Sequence, residues 1–317
     1  MAPPLIILGV GRSGTTLLRV MLDRSSQIAI PYESFFVTPL AHRHGHRPKI
    51  DDFVDDLGRF YQLYEWGIEP DDVRARLRDG MTTGEAIAAV FELYAEHEAK
   101  PRWGDKTPLY MQHLPLLEKL FPDALWVHLI RDGRDAALSF LELPEGFSGK
   151  TWALPRTAAQ FAARWRTEIT SARRLGRHVG ARYLELRYED LVTEPERVLR
   201  RVCEHASLSW EPAMLDHTGV SEVAKMPEHR NIAQPPTPGL RDWRSQMSRE
   251  DALAFEQVAG DVLRSAGYEL LDPGATYPTP RGRLELARFA ALSKSWNLTA
   301  ATYQRTPLWL RSHPQLG

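Results

Sequence analysis

The sequence predicts an α/β fold in which parallel strands are joined by helices. Two short apolar runs, Leu5–Leu8 and Leu125–Ile130, are typical of strands that are buried on both faces. Each run leads into a polar turn and then into apolar residues at helical spacing. A further strand is predicted at 182–187 and a short one at 28–30. Strands that alternate with helices in this way pair in parallel through right-handed crossovers.

Composition excludes several classes of function. The chain has 317 residues, and its 40 Lys+Arg nearly balance its 41 Asp+Glu, so it lacks the basic surplus of a general nucleic-acid binder. A single cysteine excludes a disulfide framework and a cysteine-based metal site. The sequence has no apolar stretch long enough for a membrane span, and its apolar start lacks the basic region of a signal peptide. We therefore expect a cytoplasmic protein that is not embedded in a membrane.

The chain is predicted to form one main domain, residues 1–272, followed by an extension at 273–317. Within the domain, residues 40–100 form a helical insertion. The extension is basic and is punctuated by prolines, with one helix predicted near 281–304. That helix could pack on its own domain, pack on a second copy in a homodimer, act as a lid, or lie on a membrane surface. Cys203 falls on the apolar face of a helix and is predicted to lie in the core.

The first strand runs into a candidate phosphate-binding loop with the sequence GVGRSGTT, residues 9–16. Glycines let consecutive backbone N–H groups converge, and the following helix adds the positive end of its dipole. The lysine that a triphosphate-binding loop carries is replaced by Thr15, which argues against ATP or GTP hydrolysis. A turn without a ligand is the weaker alternative, because the loop holds so many groups that could bind an anion. The predicted binding residues are Gly11, Arg12, Ser13, Gly14, Thr15 and Thr16.

A second anion site is predicted after the strand at Leu125–Ile130. Arg131 follows this strand directly, and Ser139 lies about two helical turns further on. The two side chains could hold a phosphate, with the guanidinium binding it through two hydrogen bonds. Alternatively, Arg131 pairs with Asp132 or Asp135 on a solvated turn. Two phosphate sites on neighbouring strand ends imply one nucleoside that is phosphorylated at two places.

At these residues the sequence resembles the sulfotransferases that use 3′-phosphoadenosine 5′-phosphosulfate (PAPS). Residues 11–17 are similar to their 5′-phosphosulfate loop, and Arg131 with Ser139 is similar to their 3′-phosphate site. Tyr188 stands in a segment that resembles the one near the adenine, and residues 239–244, with Trp243, resemble the late loop that closes over the donor.

The resemblance runs from about residue 5 to 268. It implies a P-loop-like three-layer fold, with a central parallel sheet flanked by helices. It also implies PAPS as the donor, adenosine 3′,5′-bisphosphate as the product, and no metal.

The same resemblance suggests the catalytic residues. Cytosolic members of the family carry a histidine two residues after a lysine, but here Pro108 follows Lys106 at that spacing. Another branch, which includes protein-tyrosine and some bacterial carbohydrate sulfotransferases, uses a glutamate, and Glu33 matches it. Glu33 is therefore the predicted general base, and Lys106 and Arg12 are predicted to stabilise charge. Taken alone, Glu33 would be a surface or capping glutamate and Lys106 a solvated loop lysine.

The acceptor is the least determined part of the prediction. Surplus aromatic residues in the 40–100 insertion predict an apolar cleft for a hydroxyl, or less readily an amine, of a small-molecule, glycosidic or lipid-like acceptor. His42, His44 and His46 are predicted to form a polar loop and not a metal site. The competing functions are a nucleotide-dependent kinase of the P-loop type and a scaffold that binds a nucleotide without catalysis.

Overall fold

The computed structural model describes residues 2–143, 154–216 and 241–313. Its centre is a parallel sheet of four strands in the order β2-β1-β3-β4. The strands are β1 (Leu5–Leu8), β2 (Gly104–Lys106), β3 (Leu125–Ile130) and β4 (Tyr183–Arg187). Every neighbouring pair is parallel, which confirms the predicted α/β class. All four carboxyl ends therefore meet at one edge of the sheet.

Helices cover both faces of this sheet. Side chains alternate between the faces along β1, so Leu5 and Ile7 pack with the helix that follows the strand, while Ile6 and Leu8 pack with the insertion. In chain order the helices are α1 (Thr15–Asp23), α2 (Val37–His44), α3 (Ile50–Leu57), α4 (Tyr61–Glu65), α5 (Pro70–Arg76), α6 (Thr83–His97), α7 (Leu114–Leu120), α8 (Gly133–Leu141), α9 (Ala158–Val179), α10 (Tyr188–Thr193), α11 (Pro195–Ala206), α12 (Trp243–Gln246), α13 (Arg249–Ser265), α14 (Pro280–Gln304) and α15 (Pro307–Ser312). Short 3₁₀ helices occupy Pro108–Gln112, Gly180–Arg182 and Pro212–Leu215.

The predicted strand at 28–30 is wrong. Only Ala29 forms a bridge, with Trp103, and the chain does not continue as a strand. The reason lies at Ile30, whose N–H donates to the Asp23 carboxylate (2.8 Å) and whose carbonyl accepts from Arg19 Nη1 (2.9 Å). Side chains of α1 thus take the backbone groups that a strand would pair.

The insertion between α1 and β2 consists of five helices, α2 to α6. Most of its aromatic residues form its own core, including Phe53 and Phe91, whereas Tyr61 is 51% exposed. The prediction of a polar histidine loop is wrong for two of the three histidines, because His42 and His44 lie in α2. His44 Nε2 lies 3.1 Å from the Asp56 carboxylate, which ties α2 to α3.

The C-terminal extension packs against the chain's own domain. The predicted helix near 281–304 is confirmed as α14, which contacts α2, α9 and α13. At its end, Gln304 accepts from Arg43 through its carbonyl (2.6 Å), and its side chain lies 2.7 Å from His42 Nδ1. The Trp309 side chain in α15 is 2% exposed and lies beneath the Arg43 guanidinium. Of the alternatives for this helix, packing on its own domain is the one observed.

The prediction that Cys203 lies in the core is confirmed, because this residue of α11 is buried. Ser248 caps α13 by accepting from the Asp251 N–H (3.0 Å). Across the described ranges, no helix is both long and apolar enough to cross a membrane.

Candidate active site

The phosphate-binding loop joins β1 to α1 at the carboxyl edge of the sheet. Its backbone takes the left-handed conformation at Arg12 (φ +74°) and again at Gly14 (φ +84°), the residue that caps α1. Left-handed residues at alternate positions turn successive N–H groups toward one concave surface, where an anion binds. Ser13 is 1% exposed, and its hydroxyl has no hydrogen-bond partner in the part of the chain that the structure describes. A buried hydroxyl without a partner is costly, and a bound anion would satisfy it.

Tyr188 packs against the loop from the side of β4. It is the first residue of α10, and its ring lies against Gly14 so closely that a Cβ there would come within 2.3 Å of Tyr188 Cδ2. The Arg131 guanidinium carbon lies 4.6 Å from the centre of the same ring. Burial raises the pKa of the Tyr188 phenol, which keeps the side chain neutral. One aromatic ring therefore contacts both predicted anion sites.

Arg131 and Ser139 both contact the loop through Arg12. Arg131 Nη1 donates to the Arg12 carbonyl (3.2 Å), and Arg12 Nε donates to the Ser139 hydroxyl (3.0 Å). Arg131 Nε is buried and lacks a hydrogen-bond partner among the described residues. The alternative partners are otherwise engaged, since Asp132 pairs with Arg134 (2.7 Å) and Asp135 accepts the Trp243 N–H (2.8 Å). The structure thus brings together the predicted residues of both anion sites.

Trp243 lies beside this group. Its ring stacks on the Arg134 guanidinium at 3.7 Å, and it is 5% exposed. Its indole Nε1 is buried without a hydrogen-bond partner within the described ranges. Burial raises the pKa of the neighbouring Asp135 to about 6. The first two residues of the predicted late loop, 239 and 240, lie outside the described residues.

Lys106 connects the phosphate loop to Glu33. It ends β2, where it is paired in register with Ile7 of β1, and its side chain is fully buried. Lys106 Nζ donates to the Thr16 hydroxyl (3.2 Å) and to Glu33 Oε1 (2.6 Å). Burial lowers the pKa of the Lys106 ammonium, and the Glu33 charge acts in the opposite direction. The three predicted residues therefore form a continuous chain from the loop to the proposed base.

A buried hydrogen-bond network, which the sequence did not reveal, fixes the segment that carries Glu33. The Ser34 hydroxyl lies 2.9 Å from the Asp105 carboxylate and 2.8 Å from the Tyr110 hydroxyl. The Thr107 hydroxyl donates to the same carboxylate (3.1 Å) and accepts the Ser34 N–H (3.1 Å). Burial raises the pKa of Asp105 to about 7. Asp105 and Thr107, which flank Lys106 in sequence, thus fix the position of Ser34, the residue that follows Glu33.

The site is rich in cationic side chains. No group of three or more His, Cys, Asp or Glu side chains that could hold a metal occurs in the described part of the chain. The positive charges near the loop come from Arg12, Lys106 and Arg131.

Comparison with known proteins agrees with this geometry. A family model described as "Sulfotransferase family" matches residues 3–212, which is more than half of the chain. The chain belongs to the sulfotransferase family.

Relatives in this family share modest sequence identity with the chain. Protein-tyrosine sulfotransferase A of Caenorhabditis elegans is 27% identical over 290 residues, which is 87% of this chain and 69% of the relative. The protein-tyrosine sulfotransferase of Drosophila melanogaster is 27% identical over 222 residues, covering 68% of this chain but only 40% of that protein. This chain therefore matches only part of the length of these sulfotransferases.

A solved structure shares the fold. The sulfotransferase domain of the Synechococcus PCC 7002 olefin synthase superimposes with a TM-score of 0.59 at 24% identity, covering 85% of this chain and 97% of that domain. The similarity to this sulfotransferase domain confirms the predicted P-loop-like fold, with its central parallel sheet flanked by helices.

Proposed function

We propose that the protein transfers the sulfuryl group of PAPS to an acceptor hydroxyl, with Glu33 as general base and without a metal. The observation that carries the proposal is the position of Lys106, which hydrogen-bonds both Thr16 of the phosphate loop and Glu33. This places a carboxylate next to the loop that would hold the reactive end of the donor. A base must lie within hydrogen-bonding reach of the acceptor proton that it removes.

The residues fit a nucleoside that carries phosphates at two positions. The loop offers the Ser13 hydroxyl and the N-terminus of α1 to one anionic group. Arg131, with its unsatisfied Nε, offers a second cationic contact beside Ser139, and the Tyr188 ring lies between the two anion sites. A triphosphate is a poorer fit, because Thr15 stands where its lysine would be. This difference favours PAPS over the substrate of a P-loop kinase.

The chemical step requires charge stabilisation and removal of a proton. As the acceptor oxygen bonds to sulfur, the bond from sulfur to the phosphate oxygen breaks, and its electron pair leaves with adenosine 3′,5′-bisphosphate. Lys106 and Arg12 stabilise the negative charge that grows on the leaving oxygen, as cations do in phosphoryl transfer. The acceptor proton moves to Glu33. The ion pair with Lys106 orients this carboxylate before the acceptor arrives.

The acceptor is proposed to be a hydroxyl of a small-molecule, glycosidic or lipid-like compound, with an amine as the lesser alternative. Aromatic side chains of the insertion lie close to the Glu33 segment, since Phe36 packs against Phe60, Trp66 and Phe91. Relatives described as protein-tyrosine sulfotransferases make a tyrosyl phenol a further acceptor to test.

A thermal-shift comparison tests the choice of donor. A ligand that binds only the folded state raises the melting temperature of the protein. We expect adenosine 3′,5′-bisphosphate to raise the Tm more than ATP with Mg²⁺ does. A larger shift with ATP and Mg²⁺ would favour the kinase instead.

Catalysis is tested by transfer of ³⁵S from labelled PAPS to a panel of alcohols, glycosides, phenols and tyrosyl peptides, with and without EDTA. We expect EDTA-insensitive transfer to at least one hydroxyl compound. Donor binding without transfer to any member of the panel would favour the non-catalytic scaffold.

A further inference from the structure

A cavity separate from the donor site lies between three helical segments. It has a volume of about 580 Å³, within the range of small-molecule sites. One wall comes from the 3₁₀ helix at Pro108–Gln112 and from α7, the second from α9, and the third from α14 of the C-terminal extension. None of the residues assigned to the donor or to catalysis lines it. The extension therefore forms part of a cavity that the proposed function does not use.

The lining is mostly apolar and contains one buried carboxylate. Met111, Leu114, Leu175 and Phe289 supply apolar surface. Glu168, 2% exposed, lines the same cavity. A carboxylate is rarely buried to this extent unless its oxygens are paired.

Only one of the two carboxylate oxygens of Glu168 has hydrogen-bond partners among the described residues. Its Oε1 accepts from Arg164 Nε (2.9 Å) and from Gln112 Nε2 (3.4 Å). Its Oε2 is buried and has no hydrogen-bond partner among the residues that the structure describes. Burial raises the pKa of Glu168, and the Arg164 charge acts against this. An additional donor at Oε2 would remove the cost of the unsatisfied oxygen.

We infer that this cavity binds a second ligand, an apolar molecule that ends in a hydrogen-bond donor, either a hydroxyl or an ammonium group. The apolar body packs between α7, α9 and α14, and the donor group bonds to Glu168. A carboxylate cannot take the place of the donor group at Glu168, because it has no hydrogen to donate and carries the same charge, and the cation Arg174, which also lines the cavity, is exposed to solvent. Arg164 already pairs with Glu168.

Three matched ligands test the inference: 1-decanol, decylamine and decanoate, each below its micellar concentration. With the wild-type chain we expect 1-decanol and decylamine to raise the Tm. We expect decylamine to bind at least tenfold more tightly than decanoate in a calorimetric titration. Equal binding of decylamine and decanoate, or no rise in Tm with either donor ligand, would overturn the inference.

Two variants and one control variant locate the site. Ser171→Trp fills the cavity from α9 and should abolish binding of all three ligands, whereas Arg177→Trp, on an exposed position of the same helix, should not. Glu168→Gln should remove the preference for decylamine over decanoate. Retained binding in Ser171→Trp would place the ligand elsewhere and refute the inference. A rise in Tm with adenosine 3′,5′-bisphosphate shows that each variant is folded, and it tests the donor site separately.

Discussion

Lys106 Nζ and Glu33 Oε1 lie 2.6 Å apart at the carboxyl edge of the sheet, although the two residues are 73 positions apart in sequence. Lys106 is fixed by the pairing of β2 with β1, and Glu33 by its neighbour Ser34, which bonds Asp105 and Tyr110. Neither side chain depends on the other alone for its position. The pair therefore presents a rigid charge and a rigid base next to the phosphate loop, as efficient catalysis requires.

Replacing Lys106 by methionine should lower both turnover and donor affinity. Methionine keeps much of the buried side-chain volume but removes the charge that acts on the leaving oxygen. We expect turnover to fall by roughly 10²–10³, the usual effect of losing one such contact. Lys119→Met, at an exposed position, is the control. A Lys106→Met variant that binds and transfers like the wild type would remove Lys106 from the mechanism.

Replacing Arg131 by alanine should weaken PAPS binding selectively. If Arg131 holds the 3′-phosphate, the loss should be about 1.5–3 kcal/mol for PAPS, the value of a charged hydrogen bond. The change should be much smaller for adenosine 5′-phosphosulfate, which lacks that phosphate. Calorimetric titration of both ligands checks this. Equal losses would mean that Arg131 serves the other phosphate or the fold, for instance through its bond to Arg12.

Replacing Gly14 by alanine should destabilise the protein and disrupt donor binding. An alanine at this position would have to keep the left-handed backbone conformation, and its Cβ would lie 2.3 Å from Tyr188 Cδ2. The first cost alone is about 1–2 kcal/mol. Gly67→Ala is the control, because Gly67 also has a positive φ (+67°) but has nothing within 4 Å of its Cβ position. Urea unfolding should show a larger loss for Gly14→Ala, and equal losses would argue against the contact with Tyr188.

Stability should depend on pH through Asp105. Its folded-state pKa of about 7 lies above the usual value of 3.8, so the folded chain holds this proton more tightly than the unfolded chain. The contribution of Asp105 to the free energy of unfolding should therefore fall as the pH rises from about 4 to about 7 and then level off. Its slope should be at most about 1.4 kcal/mol per pH unit.

Unfolding of Asp105→Asn across this pH range checks the assignment, with the exposed Asp52→Asn as control. The slope should flatten in Asp105→Asn only. An unchanged slope would show that Asp105 is ionised across the range.

Much of the site could be predicted because it lies at strand ends. Arg12 and Arg131 each follow an apolar run, and parallel strands place such residues at one edge. The contact between Arg12 and Ser139 could not be predicted, because the two side chains lie 127 positions apart in sequence and no local pattern joins them.

The local sequence pattern is also a poor guide to the secondary structure of two segments. β2 is only the three residues GDK, which have no strand propensity, and it exists because β1 pairs with it. The Ser34–Asp105–Tyr110 network joins residues more than 70 positions apart, so no local pattern could indicate it. Conversely, Ile28–Ile30 looks like a strand, but its backbone is bound by Asp23 and Arg19.

Single-turnover transfer from labelled PAPS by Glu33→Gln tests the central claim most directly, measured together with donor affinity and with Glu98→Gln as an exposed control. Glutamine keeps the shape of the side chain and its hydrogen bond to Lys106 but cannot take the acceptor proton. We expect the transfer rate to fall by roughly 10²–10⁴ while PAPS affinity barely changes. A Glu33→Gln rate near that of the wild type would contradict the assignment of Glu33 as the base.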